Sequence, residues 1–101
     1  MKDFLLTVTV YGEFSQDPLQ CKLMSDQLKE LGLNDYLIND IGEWTALPDN
    51  IYADWVEGED CDLVIAEWNL KIAALFRSNK LKGFCFITVG TEAVWFSQGF
   101  W

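Results

Sequence analysis

FLLTVTVYGEFSQDPLQCKLMSDQLKELG, residues 4–32, joins a strand to a helix and sets the class of the fold. From Phe4 to Tyr11 the side chains alternate with the strand period of two. Phe4, Leu6, Val8 and Val10 fall on one face, and Leu5, Thr7, Thr9 and Tyr11 on the other. This predicts a half-buried strand that Gly12 ends. Asp17 then stands before Pro18, with Gln20 three residues on, the arrangement of a helix N-cap with proline at the first helical position and a capping-box spacing. Leu19, Leu23, Met24, Leu28 and Leu31 supply the apolar face of that helix, and Gly32 the left-handed residue that closes it.

Downstream the pattern shortens. Tyr36 to Asn39 and Glu43 to Leu47 read as the arms of a small hairpin around Asp40-Ile41-Gly42, which Pro48 closes. Asn50 to Val56 is a further extended segment, either a continuation of the second arm or a separate edge strand. A second helix begins near Asp60, with a buried stripe of Val64, Ile65, Trp68, Ile72, Leu75 and Phe76 and with Gly83 as its cap. Glu57, Glu59, Asp60 and Asp62 crowd its start while Arg77, Lys80 and Lys82 follow its end, an order that suits the helix dipole by about 0.3–1 kcal/mol per charge. Phe84 to Val89 and Ala93 to Ser97 form a C-terminal hairpin turning at Gly90 to Glu92, and the large aromatics Phe100 and Trp101 call for a docking surface. The order β-α-β-β-α-β-β is that of an α+β ferredoxin-like sandwich, with two helices on one face of an antiparallel sheet and one strand added at the end.

Length and composition agree with this. A chain of 101 residues is one domain, 1–101, and at this size roughly 65% of the unfolded surface is buried on folding. Half of the residues are apolar, too many for a disordered acidic tail. No apolar run approaches the ~20 residues of a membrane span, and the first residues lack the features of a signal peptide, so the expected address is the cytoplasm. Cys21, Cys61 and Cys85 are odd in number and far apart, which suggests reduced thiols, with Cys85 a small core residue.

The charge is segregated. Glu30 to Leu70 holds eleven acids and no Lys or Arg, so the net charge of -9 arises wholly within it. Histidine is absent, which removes the commonest general acid-base group and the commonest metal ligand, and no nucleophile elbow, phosphate loop or dinucleotide fingerprint is present. Neither a cofactor nor a metal is therefore expected. A carboxylate site for Mg²⁺ or Ca²⁺ would have to come from Glu57, Glu59, Asp60 and Asp62, which lack calcium-loop spacing and read more simply as solvated acids at a helix start. Asp3 is either a second such candidate or a plain charge before a strand.

Trp44, Tyr52 and Trp55 have carboxylates as neighbours, which opposes base stacking and direct contact with nucleic acid. They are core residues or anchors of a protein interface. The acids have two readings, a solvated face that keeps a hydrophobic chain soluble, or a row of carboxylates that substitutes for phosphates on the basic groove of a nucleic-acid-binding protein. In the second reading Asp40, Glu43, Asp49, Asp54, Glu57, Glu59, Asp60 and Asp62 supply charge, and Trp44 and Trp55 are anchors. The chain would then be a non-enzymatic inhibitor of the phage anti-restriction or anti-CRISPR kind. A homodimer through the open sheet face and the Phe100-Trp101 tail is a third expectation.

A first strand, a helix ending in glycine, Asp40-Ile41-Gly42, Leu47-Pro48 with Tyr52 four residues after the proline, then a helix and a closing hairpin with Trp95 resemble the small bacterial and phage GhoS-like antitoxin family. The resemblance implies a ferredoxin-like fold akin to the small CRISPR adaptation nucleases. It also implies, as the alternative function, a metal-dependent endoribonuclease acting on a toxin's messenger RNA.

Overall fold

The computed structural model describes residues 2–38 and 41–91. It is an α+β fold with two helices, a three-stranded antiparallel sheet of order β4-β1-β5, and a separate two-stranded sheet. The elements are β1 (Lys2–Gly12), a 3-10 turn (Glu13–Gln16), α1 (Pro18–Glu30), β2 (Tyr36–Ile38), β3 (Trp44–Ala46), β4 (Ile51–Gly58), α2 (Cys61–Ser78) and β5 (Gly83–Gly90). The second arm of the expected C-terminal hairpin, Trp95 and the Phe100-Trp101 tail lie outside the described residues, as do Asn39 and Asp40.

β1 is the central strand, paired along its length with β4 on one side and β5 on the other. Its even-numbered residues Phe4, Leu6, Val8 and Val10 are essentially inaccessible and join one core cluster with Met24 and Leu28 of α1 and Val64, Trp68, Ile72 and Leu75 of α2. Its odd-numbered residues Leu5, Thr7 and Thr9 are half-buried and Tyr11 is exposed, as alternation on a one-sided sheet requires.

α1 begins as its sequence requires, with the Asp17 carboxylate accepting from the Leu19 N–H at 3.0 Å and Pro18 at the first position. It ends in a Schellman motif: Leu33 N–H donates to Leu28 O, Gly32 N–H donates to Lys29 O, and Gly32 has φ 103°. Its buried face is narrower than the leucine count suggests. Met24 and Leu28 are buried, whereas Leu19, Leu23 and Leu31 are exposed. At about 100° per residue, Leu23 lies about 100° and Leu19 about 140° around the helix from Met24, off the core stripe.

α2 differs from expectation at its end. Asn79 is the C-cap, and Lys80, at φ 54°, occupies the left-handed position, with Leu81 N–H donating to Phe76 O and Lys80 N–H to Arg77 O. Gly83 therefore does not cap the helix; it opens β5 opposite Gly12. The two backbones approach so closely that a Cβ on either glycine would meet the other strand's main chain. Within α2 Ile65 is exposed rather than buried and Phe76 is half-buried, its ring 5.8 Å from that of Phe14 in the 3-10 turn. Gln27 and Asn79 join the helices through a reciprocal pair of side-chain amide hydrogen bonds of 3.1 and 2.6 Å.

β2 and β3 pair as the arms of the expected hairpin, with Tyr36 opposite Ala46 and Ile38 opposite Trp44, but as a sheet of their own. Residues 51–58 are a separate strand rather than the hairpin's second arm, since their partner is β1. The hairpin is tied to β4 by an antiparallel bridge in which Asn34 and Ala53 exchange both backbone hydrogen bonds, at 2.9 and 2.8 Å. The single continuous sheet expected from the element order is thus interrupted after one bridge.

Adding a methyl at Gly83 forces the β1–β5 backbones apart. Gly83→Ala should lower the free energy of unfolding by about 1–3 kcal/mol. Gly32→Ala, which meets open space but adopts positive φ, should cost about 1 kcal/mol. Urea unfolding of the two variants checks this ranking.

Candidate functional site

β4 carries the acidic stretch along one margin of the main sheet, because it is an outer strand in the order β4-β1-β5. At a rise of about 3.3 Å per residue the strand is about 23 Å long, and its two ends hold different groups of the predicted site residues. At the start lie Asp49 and, on the neighbouring hairpin, Glu43 and Trp44, all exposed. Asp54 and Trp55 occupy the middle. Glu57 at the end is followed by Glu59, Asp60 and Asp62 at the start of α2, again all exposed. The structure therefore gathers Glu57, Glu59, Asp60 and Asp62 into one neighbourhood of the chain and leaves Glu43, Trp44 and Asp49 at the opposite end. Asp40 lies outside the described residues.

The aromatics divide in the same way. Tyr52 is 8% exposed and belongs to the core, its partner across the ladder being Val8. Trp44 is 64% exposed, its ring 6.0 Å from that of Tyr36, and Trp55 is 44% exposed, opposite Leu5 on the sheet face away from the helices. The two tryptophans are accessible, as an anchor must be, but they serve separate surfaces. Trp44 and Asp49 share the wall of a cleft of about 500 Å³ between α1, the hairpin and the start of β4, together with Asp35, Lys22 and Ser25.

Lysines on either side of the acidic stretch reach into it. Lys29 of α1 reaches Asp35 at 3.2 Å, and Lys71, whose ammonium also sits 4.4 Å from the Trp68 ring centroid, reaches Glu67 at 3.4 Å. Both neutralise acids outside the predicted set. Asp49, Asp54, Glu57, Glu59, Asp60 and Asp62 form no ion pair among the described residues. Some have local work: the Asp60 carboxylate accepts from the Leu63 N–H at 2.8 Å and caps α2, and the Asp54 carboxylate accepts from the Trp55 N–H at 2.8 Å.

Strand register adds one carboxylate that the spacing of residues in the sequence does not associate with this group. Asp3 pairs directly with Glu57 across the β1–β4 ladder, both side chains exposed. Like charges in that position weaken strand pairing by a few tenths of a kcal/mol. Among the described residues no group of three or more carboxylates or thiols stands close enough to hold a metal ion. Of the thiols, Cys85 packs half-buried against the core, and burial raises its pKa above the ordinary thiol value.

Comparison of the chain with family models, with curated proteins and with solved structures finds no match.

The acids separate experimentally by what they hold. Asp60→Ala should destabilise the protein by about 1 kcal/mol through loss of the cap. Glu59→Gln and Asp62→Asn, which break no hydrogen bond seen here, should stay within about 0.5 kcal/mol of the parent. Thermal unfolding of the three variants is the check.

Proposed function

We propose that the chain is a non-enzymatic inhibitor that presents its carboxylates, in place of nucleic-acid phosphates, to a basic nucleic-acid-binding protein. One observation carries the reading. Asp49, Glu57, Glu59, Asp60 and Asp62 are exposed and Asp54 half-buried along an outer strand and the helix that follows it, with no basic partner among the described residues, and Asp3 is set against Glu57 at a cost to the fold. An acid retained for solubility alone gains nothing from facing another acid across a ladder.

Magnitudes favour a surface of this size. At physiological salt the field of an exposed charge decays over about 8 Å, so the two ends of the row act independently on small ions. A protein interface of about 800 Å² per partner is roughly 30 Å across and covers both. Trp44 at one end and Trp55 near the middle supply the apolar contact that charge alone lacks.

The finer fold belongs to the same proposal. With the isolated bridge between Asn34 and Ala53 counted in place of a full outer strand, the order would be β2-β4-β1-β5, that of a ferredoxin-like fold. The paired hydrogen bonds at Asn34 and Ala53 support this reading. It keeps in play the GhoS-like alternative, a metal-dependent ribonuclease antitoxin, for which Asp3 would be the carboxylate to test.

The deciding experiment captures host proteins on the full chain and follows nucleic-acid binding by the captured partner. The expected result is a basic partner that loses its nucleic acid to the inhibitor. Capture should weaken by at least about tenfold between 50 and 500 mM salt, and also in the Asp54→Lys, Glu57→Lys, Glu59→Lys, Asp62→Lys variant. Asp60 is left in place so that α2 keeps its cap. Binding indifferent to salt and charge reversal would refute the mimic, and cleavage of RNA with Mg²⁺ or Mn²⁺, lost in Asp3→Ala, would replace it with the ribonuclease.

A further inference from the structure

The cleft between α1, the hairpin and the start of β4 has an interior that the acidic row does not use. Its volume of about 500 Å³ falls within the ~300–1,000 Å³ of small-ligand sites. Val10 and Met24, each 1% exposed, and half-buried Leu47 and Ile51 make that interior largely apolar, and exposed Trp44 completes the wall. The turn that carries Asp49 is held in place, since Ile51 N–H donates to Pro48 O at 3.2 Å and Val10 N–H donates to Asn50 O at 3.0 Å.

Tyr52 is the informative residue. It is 8% exposed, and a tyrosine set this deeply normally gives its hydroxyl a hydrogen-bond partner. Among the described residues this hydroxyl has none, yet none of their polar side-chain atoms is both sealed from water and unpartnered. The hydroxyl therefore opens into the cleft that Tyr52 lines, with a donor and an acceptor to spare.

Charge narrows the choice of occupant. The charged side chains among the described lining residues are Lys22, Asp35 and Asp49. Asp35 is paired with Lys29, whereas Lys22 on α1 and Asp49 on the turn before β4 form no ion pair with each other or with any other described residue. An occupant with one charge satisfies one of these groups and strips water from the other at a cost; a neutral occupant satisfies neither. A zwitterion answers both.

We propose that the cleft binds a small zwitterion, an α-amino acid with an aromatic side chain. Its carboxylate meets Lys22 and the Tyr52 hydroxyl, its ammonium meets Asp49, and its ring packs on Trp44 and the apolar interior. The site is independent of phosphate mimicry, in which Lys22 and Tyr52 have no part.

Titration of the full chain with L-phenylalanine, followed by backbone amide shifts in NMR, tests this. L-phenylalaninamide, which lacks the carboxylate, and N-acetyl-L-phenylalanine, which lacks the ammonium, serve as comparisons. The expected result is saturable shifts at Ser25, Asn50 and Tyr52, with each derivative bound at least about tenfold more weakly than the amino acid. Lys22→Gln should bind the amino acid and its amide equally, and Asp49→Asn should bind the amino acid and its N-acetyl form equally. Tyr52→Phe, which keeps the ring in the core, should bind the amino acid about 2- to 10-fold more weakly. No saturable shift up to about 10 mM L-phenylalanine would overturn the proposal. So would equal binding of either derivative by the unaltered protein, or shifts confined to residues outside the cleft. No partner protein is present in the titration, so these outcomes leave the capture experiment to decide the inhibitor reading on its own.

Discussion

Everything in this structure leans on one strand that has a neighbour on each side. β1 contributes Phe4, Leu6, Val8 and Val10 to the core, all at 2% exposure or less, where they share one buried cluster with side chains of both helices, and both flanking strands pair along it. Burying a side chain of this kind is worth about 1.5–3 kcal/mol, so four in alternation fix which face the helices cover. That choice in turn assigns every residue of β4 and β5 to a face through the register, including Trp55, Asp54 and Glu57. The distribution of acids and aromatics at the surface is therefore a consequence of the core of β1 and not an independent design.

Function enters through what that core leaves over. The acids of β4 and of the α2 start fall on an outer margin, where they remain hydrated and cost little except where Asp3 meets Glu57. Aromatic residues fall on the sheet face that no helix covers. The two surfaces meet at Trp55, which has Asp54 before it and Val56 and Glu57 after it, and which lies opposite Leu5. One surface is charged and the other apolar. A single small fold can hold both because alternation sends neighbouring residues to different sides.

Much of this is legible in the sequence, for identifiable reasons. Asp17-Pro18 and Gly32 mark α1 because caps are local chemistry, and the period of Phe4 to Tyr11 marks β1 because each face carries several residues of one kind. Errors appear where a distant segment decides. Gly83 follows a helix closely enough to pass for its cap, yet Lys80 takes the left-handed position and Gly83 is needed for close approach to Gly12, seventy-one residues earlier. Leu19 and Leu23 belong to a leucine-rich helix and still miss its buried stripe. The pairing of Asp3 with Glu57 is a matter of register, which no spacing within either segment reveals. That Asp60 would cap α2 is readable; that Lys29 and Lys71 would come to rest against Asp35 and Glu67 is not.

The run of α2 has an electrical consequence. Its 18 residues span about 27 Å, with Asp60 and Asp62 at one end and Arg77, Lys80 and Lys82 at and beyond the other. The side-chain charges thus make the protein a permanent dipole in addition to a net anion. In the field of a positively charged surface such a body feels a torque before it makes contact, and it turns the β4–α2 corner forward and the lysines to the rear. Collisions then begin from a biased set of orientations, so adding or removing charge at Arg77 or Lys82, far from any contact, would alter how often an encounter is productive without altering the interface itself.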